Sequence, residues 1–192
     1  MFRVSRYLQL LADPGRLAQA AAAAPAKPSG PVVIWNLIRR CNLNCRHCYS
    51  TSVDKDFAGE LATQEVFTVM EDLRAFGVPV LILSGGEPLM RPDLPELVAW
   101  TVSHGMRAVI STNGTLITPS VALTLKEIGL SYVGISLDGM QEVNDRFRAV
   151  PGAFRSALDG IRNCQAAGIR LTARCMIHDK DAPSVSNKFE IP

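Results

Sequence analysis

The chain has 192 residues, of which 47% are hydrophobic and 20% are charged, a composition typical of one packed globular domain rather than a disordered protein. Its 20 basic and 18 acidic residues give a formal net charge of +2, which is too small to indicate a nucleic-acid surface or an anionic membrane as the partner. Partners must therefore be inferred from local motifs.

The N-terminal region, residues 1–30, is predicted to be a short helical segment followed by a linker rich in alanine and proline. Its apolar stretch is interrupted by Gln9 and Asp13, so it is too short for a secretion signal. Elsewhere no run approaches about 18 uninterrupted apolar residues, and we expect no membrane span. Five cysteines, three of them close together, favour a reducing compartment and metal binding, so the cytoplasm is the expected location.

From Pro31 onward, apolar segments rich in β-branched residues alternate with segments of helical periodicity. The five predicted strands are Val32–Leu37, Val78–Leu83, Arg107–Ile110, Tyr132–Leu137 and Ile169–Ile177. The four predicted helices, each followed by a glycine, are Gln64–Phe76, Leu94–His104, Ser120–Ile128 and Ala153–Ala167. Near-continuous apolar strands indicate a parallel α/β sheet, either open and doubly wound or a (β/α) barrel. In both folds ligands bind at the carboxyl ends of the strands.

Three cysteines, Cys41, Cys45 and Cys48, follow the first predicted strand in the spacing C-x3-C-x2-C. A structural zinc ion uses four ligands, whereas a 4Fe-4S cluster held by three thiolates leaves one iron free to bind another ligand. The alternatives are a zinc site with His47 as the fourth ligand, or part of a disulfide scaffold. Because His47 directly precedes Cys48, it is poorly placed to join the three thiolates around one ion, and the sequence favours the cluster.

Short polar or glycine-rich motifs follow the next three predicted strands. They are Gly85-Gly86-Glu87-Pro88, Ser111-Thr112-Asn113-Gly114 and Ser136-Leu137-Asp138-Gly139. Each could be a simple turn or helix cap. The carboxyl ends of the strands form one edge of the sheet, and a metal cluster at that edge would give these motifs a functional role. Two glycines would let the backbone approach a ligand, and the carboxylate of Glu87 could receive an ammonium group. The hydroxyl and amide groups could bind a nucleoside.

The fifth predicted strand carries one charged residue, Arg174. A charge inside an apolar strand is costly unless it is paired, and either an anionic ligand, a salt bridge or an outward-facing position would account for it. Cys164 and Cys175 lie at apolar positions of a helix and a strand, and they are predicted to be buried small side chains rather than metal ligands.

The cysteine motif after the first strand, Gly-Gly-Glu-Pro after the second and Ser-Leu-Asp-Gly after the fourth together resemble the radical SAM superfamily. Within it, the branch that acts in heme d1 biosynthesis is similar in the runs Gly30–Leu37, Arg39–Leu43, Gly59–Leu61 and Val80–Leu89. The resemblance implies a partial (β/α)6 barrel in which Cys41, Cys45 and Cys48 bind a 4Fe-4S cluster whose free iron chelates S-adenosylmethionine (SAM). It also implies reductive cleavage of SAM to methionine and a 5′-deoxyadenosyl radical, which abstracts hydrogen from the substrate.

The same resemblance suggests which residues bind the cofactor. Gly85, Gly86 and Glu87 would hold the ammonium group of SAM, Ser136 and Asp138 the ribose, and Arg174 the carboxylate, with Ser111 and Asn113 nearby. The implied substrate is a siroheme-derived tetrapyrrole whose propionate side chains are modified, and the implied electron donor is a flavodoxin or ferredoxin. A radical SAM enzyme that modifies peptides is the alternative, and neither a nucleic acid nor a membrane is an expected partner.

Two features depart from the pattern of the superfamily. Five strands are counted where the barrel has six, and the region that supplies further cysteines in these proteins is missing after the core, residues 31–178. Residues 179–192 are predicted to be an irregular tail, so we expect a truncated chain with an open sheet edge that favours aggregation unless a partner covers it. A catalytically incomplete fragment that only binds a metal or cluster is therefore a further alternative.

Overall fold

The structure is a computed structural model that describes residues 30–174. Residues 31–174 belong to a compact unit that begins at Pro31. The predictions made for residues 1–29 and 175–192 lie outside the described residues; they concern the N-terminal helix and linker, the irregular tail and the burial of Cys175.

Five parallel strands alternate with helices along the chain. The strands are β1 (Val32–Ile38), β2 (Val80–Gly85), β3 (Arg107–Thr112), β4 (Tyr132–Ser136) and β5 (Leu171–Arg174). The helices are α1 (Thr63–Ala75), α2 (Leu94–Ser103), α3 (Pro119–Glu127), α4 (Gln141–Arg148) and α5 (Ala153–Ala166), with a 3₁₀ turn at Pro88–Met90. None of the helices in this part of the chain has the length and apolar content needed to cross a bilayer.

The strand order in the sheet is β1-β2-β3-β4-β5, and every neighbouring pair is parallel. Each strand thus lies beside its predecessor, as in a β/α barrel, whereas the order of a doubly wound sheet reverses at a switch point. The strand order therefore excludes the doubly wound sheet, which the apolar pattern of the strands had left as an alternative to the barrel. The fold is a partial β/α barrel of five strands in residues 30–174.

The hydrophobic core lies between the helices and one face of the sheet. Alternate strand residues such as Leu81, Leu83 and Ile110 are fully buried there, because successive side chains of a strand point to opposite faces. The other face of the sheet is more open, and Ile34 on it is 65% exposed. The helices therefore cover one face, while the opposite face and the carboxyl ends of the strands remain accessible to a ligand.

Helix α4 was not predicted from the sequence. Its eight residues include only two apolar ones, Val143 and Phe147, so they form no apolar stripe long enough to indicate a core-facing helix. The helix ends at Ala149, which has a left-handed φ of 55°; this conformation often stops a helix, although glycine usually adopts it. Within residues 31–174 the five predicted strands and four predicted helices are present, with shifts at their ends; β2, for example, begins at Val80 rather than Val78.

Candidate cluster and cofactor site

One cavity of about 420 Å³ lies at the carboxyl ends of the strands and collects nearly all predicted site residues. Those in its lining are Cys41, Cys45, Cys48, Gly85, Gly86, Ser111, Asn113, Ser136, Asp138 and Arg174. Glu87 is fully buried and does not belong to the lining. The fold therefore brings together residues that are separated by more than a hundred positions in the sequence.

The cysteine loop, residues 41–48, is held against the end of α4 by its backbone. The N–H groups of Asn44 and Arg46 donate to the carbonyl oxygens of Arg148 (3.3 Å) and Phe147 (2.9 Å). The last carbonyl groups of a helix have no partner within the helix, and the loop satisfies two of them here. The unpredicted helix α4 is thus the support on which the three cysteines are placed.

Cys41 is the buried member of the three thiols. Its Sγ accepts hydrogen bonds from the Leu43 N–H at 3.4 Å and from Asn113 Nδ2 at 3.9 Å. Burial raises the pKa of Cys41 to about 11. The thiol would therefore be protonated in the metal-free protein near neutral pH, and a bound metal would supply the positive charge that favours its thiolate.

Cys48 lies in a more polar environment. Its Sγ accepts a hydrogen bond from the Ser52 N–H at 3.5 Å and lies 3.2 Å from the Ser50 hydroxyl oxygen. Burial alone would raise the pKa of Cys48, but the hydrogen bonds from Ser50 and Ser52 outweigh it and lower that pKa. These two serines were not predicted as site residues, although hydroxyl residues directly after a cysteine often bond back to the local chain.

An ionic network adjoins Cys45. Arg148 donates from Nη1 to Cys45 Sγ at 3.6 Å, and its Nη2 lies 2.8 Å from Asp138 Oδ2. The same carboxylate oxygen lies 3.4 Å from His47 Nε2. Burial raises the pKa of Cys45, and the guanidinium of Arg148 opposes that rise. Arg148 was missed in the sequence because the helix that carries it was missed.

The local geometry also bears on the two alternatives to a cluster. Within residues 30–174, no three His, Cys, Asp or Glu side chains converge on one point as a single metal ion would require. In a 4Fe-4S cluster each thiolate binds a different iron, so such convergence is not needed. The four cysteines of this part of the chain are all free thiols, and His47 is directed at Asp138. Three thiols in one cavity, each with a hydrogen-bond donor, fit an iron–sulfur cluster.

Glu87 ties the end of β2 to the end of β3. Its Oε1 accepts hydrogen bonds from the Thr112 hydroxyl (2.7 Å) and the Leu89 N–H (3.1 Å), and its Oε2 accepts one from the Asn113 N–H (2.8 Å). Burial raises the pKa of Glu87, and these three hydrogen bonds oppose the rise. In the structure the carboxylate thus positions Asn113 beside the cysteine loop, and its contact with the ammonium group of SAM stays a prediction.

Gly85 and Gly86 let the backbone that follows β1 cross close to the end of β2. The Gly86 N–H donates to the Ile38 carbonyl oxygen at 2.6 Å. A Cβ atom would overlap the Ile38 carbonyl at Gly85 and the Arg40 carbonyl at Gly86. The close approach that requires these glycines is thus made by the protein backbone, although both residues also line the cavity.

Asn113 links β3 to the cysteine loop. Its Nδ2 donates to Asn42 Oδ1 at 2.9 Å, and its Oδ1 accepts from the Thr115 N–H and hydroxyl at 2.9 and 2.7 Å. Asn42 in turn donates to the Thr115 hydroxyl at 2.8 Å. The three side chains form a closed set of hydrogen bonds, of which the sequence analysis identified only Asn113.

Arg174 reaches from the end of β5 across β4 to β3. Its Nη2 donates to the Gly134 carbonyl oxygen at 3.3 Å and to the Ser111 hydroxyl. A Cβ atom at position 134 would lie less than 3 Å from the guanidinium, so the glycine leaves room for Arg174 in this position. Ser136, which pairs with Arg174 in the sheet, lies in the same cavity wall. This wall therefore carries a positive charge and two hydroxyl groups that suit an anionic or hydroxylated ligand.

Comparison with known proteins agrees with these features. A family model described as the radical SAM superfamily matches residues 35–183. The Fe-coproporphyrin III synthase of Methanosarcina barkeri is 52% identical over 166 residues, which cover 86% of this chain and 42% of that protein. The pre-heme d1 synthase of Dinoroseobacter shibae is 46% identical over 183 residues, which cover 94% of this chain and 44% of that protein. The chain thus spans less than half the length of these curated relatives.

Solved structures show the same fold. The structure of anSMEcpe with bound AdoMet and the Cp18Cys peptide matches with a TM-score of 0.66 over 80% of this chain and 45% of that chain, at 21% identity. Radical SAM proteins are enzymes that use a 4Fe-4S cluster and SAM, the two cofactors that the family resemblance implied. The family model covers most of this chain, and both relatives are far more than 30% identical to it. The chain therefore belongs to the radical SAM superfamily.

Proposed function

We propose that Cys41, Cys45 and Cys48 bind a 4Fe-4S cluster, that SAM binds in the adjoining cavity, and that the protein acts as a radical SAM enzyme on a tetrapyrrole. The observation that carries the proposal is the single cavity in which three hydrogen-bonded thiols meet the polar ends of β2, β3, β4 and β5. When bound and reduced, the cluster supplies the electron that cleaves SAM and yields a 5′-deoxyadenosyl radical. The protein binds, orients and shields the reactants.

The cavity wall offers a partner for each polar group of SAM. The guanidinium of Arg174 suits the carboxylate, and the hydroxyl groups of Ser111 and Ser136 can bind the carboxylate or the ribose. Gly85 and Gly86 line the cavity, so their backbone carbonyl groups are our candidates for the ammonium group. One oxygen of Asp138 is paired with Arg148, so the other oxygen is our candidate for a ribose hydroxyl.

The substrate class is inferred from the relatives. Fe-coproporphyrin III synthase and pre-heme d1 synthase are both named for tetrapyrrole products. We therefore propose a tetrapyrrole substrate with propionate side chains, siroheme-derived if the chain acts in heme d1 biosynthesis. An electron carrier such as a flavodoxin or ferredoxin would reduce the cluster, and a reducing compartment such as the cytoplasm suits its free thiols.

The cluster and the chemistry can be tested in one preparation. The protein is reconstituted anaerobically with iron and sulfide, reduced with dithionite and mixed with SAM; electron paramagnetic resonance (EPR) detects the cluster and chromatography detects 5′-deoxyadenosine. We expect Cys45→Ala to lose both signals and Cys164→Ala, which changes a buried thiol of α5, to keep both. A cluster that survives Cys45→Ala would contradict the proposal, and a cluster without SAM cleavage would favour the incomplete fragment.

A peptide substrate is the second candidate, because anSMEcpe, which shares the fold, has been solved with a bound peptide. A substrate that closes the cavity would exclude water from the site and so favour SAM cleavage. We expect a siroheme-derived tetrapyrrole to increase the rate of 5′-deoxyadenosine formation. An increase with a cysteine-containing peptide but not with the tetrapyrrole would favour the peptide-modifying alternative.

A further inference from the structure

We infer that Arg148 tunes the reduction potential of the cluster through its N–H···S hydrogen bond to Cys45, and that Asp138 positions Arg148 for this role. The inference rests on the proposed function, because it requires a cluster on the three thiols. Arg148 is not one of the residues identified from the sequence. Its role is inferred only from its contacts at the end of α4.

Both terminal nitrogens of the Arg148 guanidinium are engaged. Nη1 donates to Cys45 Sγ at 3.6 Å, and Nη2 lies 2.8 Å from Asp138 Oδ2. Arg148 is 8% exposed and Asp138 is 4% exposed, so water competes little for either group. Because the guanidinium is planar and rigid, fixing one nitrogen on the carboxylate fixes the direction in which the other points.

The backbone holds the same arrangement. The Arg148 carbonyl oxygen accepts a hydrogen bond from the Asn44 N–H at 3.3 Å, next to Cys45 in the loop. At the other end of the network, the Asp138 N–H donates to Asn144 Oδ1 of α4 at 3.0 Å. Main chain and side chain of Arg148 therefore both contact the cysteine loop, and the Asp138 segment is tied to the helix that carries Arg148.

Cys45 differs from the other two thiols in the charge of its donor. Among the contacts of residues 30–174, Cys41 and Cys48 accept hydrogen bonds from neutral groups, whereas Cys45 accepts one from a cation. A charge-assisted hydrogen bond is roughly twice as strong as a neutral one. Hydrogen bonds to cluster sulfurs and nearby charge are among the determinants of iron–sulfur reduction potentials.

The sign of the effect follows from electrostatics. Reduction adds negative charge to the cluster and its thiolates, so a cationic donor stabilises the reduced state more than the oxidised state. Arg148 therefore raises the potential and makes the cluster easier to reduce by a cellular carrier. The carboxylate of Asp138 partly neutralises the positive charge of Arg148, but it keeps the Nη1–H group of Arg148 directed at Cys45.

The test is an EPR-monitored redox titration of the anaerobically reconstituted full chain. We expect the midpoint potential of Arg148→Leu to be more negative than that of the unaltered protein. Arg148→Lys keeps the charge but lacks the planar fork, so we expect a smaller shift in the same direction. The matched control is Arg146→Leu, which removes a positive charge from an exposed position of the same helix and is expected to leave the potential nearly unchanged.

Two further measurements separate a direct bond from a general charge effect. Iron–thiolate frequencies in resonance Raman spectra shift when a bonded N–H is deuterated, and we expect part of this shift to be lost in Arg148→Leu. If Asp138 acts through Arg148, the potential change caused by Arg148→Leu is smaller in an Asp138→Asn background.

The outcomes distinguish this inference from the proposed function. Failure of the unaltered protein to assemble a cluster contradicts the proposed function. A cluster whose potential is the same with and without Arg148, or an equal shift in Arg146→Leu, overturns the tuning role. If Arg148→Leu does not fold, Arg148→Lys is measured instead; if both variants fold but hold no cluster, Arg148 serves assembly and the tuning role is also overturned.

Discussion

Several buried polar side chains at this site hold other residues in place rather than face a ligand. Glu87 is the clearest case, since its two oxygens accept three hydrogen bonds, from Thr112, Leu89 and Asn113. An ionised carboxylate only accepts hydrogen bonds, so it suits a position surrounded by donors. Glu87 thus shapes the cavity without lining it, because it fixes the position of Asn113, which contacts Cys41.

A glutamine at position 87 tests this role. The amide has nearly the same shape, but its NH₂ group must face either Leu89 and Thr112 or Asn113, and at least one buried donor then lacks an acceptor. We expect Glu87→Gln to lower the free energy of unfolding by about 1–3 kcal/mol, measured by urea denaturation.

The matched control is Glu71→Gln, which changes an exposed carboxylate paired with Arg74 on α1. Exposed ion pairs contribute little to stability, so we expect a change within about 0.5 kcal/mol. Equal effects of the two substitutions would show that the Glu87 carboxylate is not held by its three donors.

At the scale of secondary-structure elements, the carboxyl end of β1 is fixed by a buried arginine. Arg91 donates to the carbonyl oxygens of Leu37 (3.3 Å) and Leu61 (3.0 Å) and pairs with Asp93 at 2.7 Å. Asp93 also accepts a hydrogen bond from the Thr63 hydroxyl at 2.7 Å. This set joins β1, the start of α1 and the start of α2, and it sets the point from which the cysteine loop departs.

The Asp93 carboxylate predicts a pH dependence of stability. Burial alone would raise the pKa of Asp93, but hydrogen bonds from Arg91 and Thr63 outweigh it and lower that pKa in the folded protein. A lowered folded pKa means that the stabilisation is present above the ordinary aspartate value of about 3.9 and is lost as the pH falls through the lower folded pKa. We therefore expect Asp93→Asn to be less stable than the unaltered protein at pH 7, and the difference to shrink below about pH 4.

The measurement is the free energy of unfolding of both proteins across this pH range. Asp159→Asn is the control, because Asp159 pairs with Arg162 on the exposed side of α5 and should contribute little at any pH. A stability difference between Asp93→Asn and the unaltered protein that stays constant with pH would contradict the linkage.

The close crossing of β1 and β2 gives a prediction for Gly86. A Cβ there would overlap the Arg40 carbonyl, so Gly86→Ala must displace the backbone that leads into the cysteine loop. Gly105→Ala is the matched control: no atom lies within 4 Å of its Cβ, and only the positive φ of 79° is unfavourable, at about 1–2 kcal/mol. We expect Gly86→Ala to lower the free energy of unfolding more than Gly105→Ala and also to reduce the iron bound after reconstitution.

The elements that the sequence predicted are those with a strong periodic signal. The five strands and four of the helices bury many apolar residues, and their pattern is visible without a structure. Helix α4 is short and polar, so nothing in its periodicity marks it. With it Arg148 was missed, and Asn42 was missed because its contacts with Asn113 and Thr115 reach across the fold and leave no local pattern. Ser50 lies only two residues after Cys48, so the sequence did carry a local signal for its contact.

At the scale of the whole molecule, the cavity connects the two edges of the described sheet. The cysteine loop follows β1 and Arg174 ends β5, and within residues 30–174 these two strands share no hydrogen-bonded pairing. The strand ends in between each contribute part of the wall. A ligand that fills the cavity therefore contacts the first and last strands at once, and its binding free energy stabilises their relative position.

This connection predicts how SAM changes the dynamics of the cluster-loaded protein. We expect hydrogen exchange to slow on SAM addition in the cysteine loop and in β5 (Leu171–Arg174), because both contribute to the cavity wall. Amides of α1 (Thr63–Ala75), which is absent from that wall, should exchange at an unchanged rate. In Arg174→Leu, protection of the loop should remain while protection of β5 is lost, since the guanidinium is the group of β5 that reaches the cavity. Protection of the loop alone in the unaltered protein would place SAM at the cluster without contact to β5, and would remove Arg174 from the proposed carboxylate site.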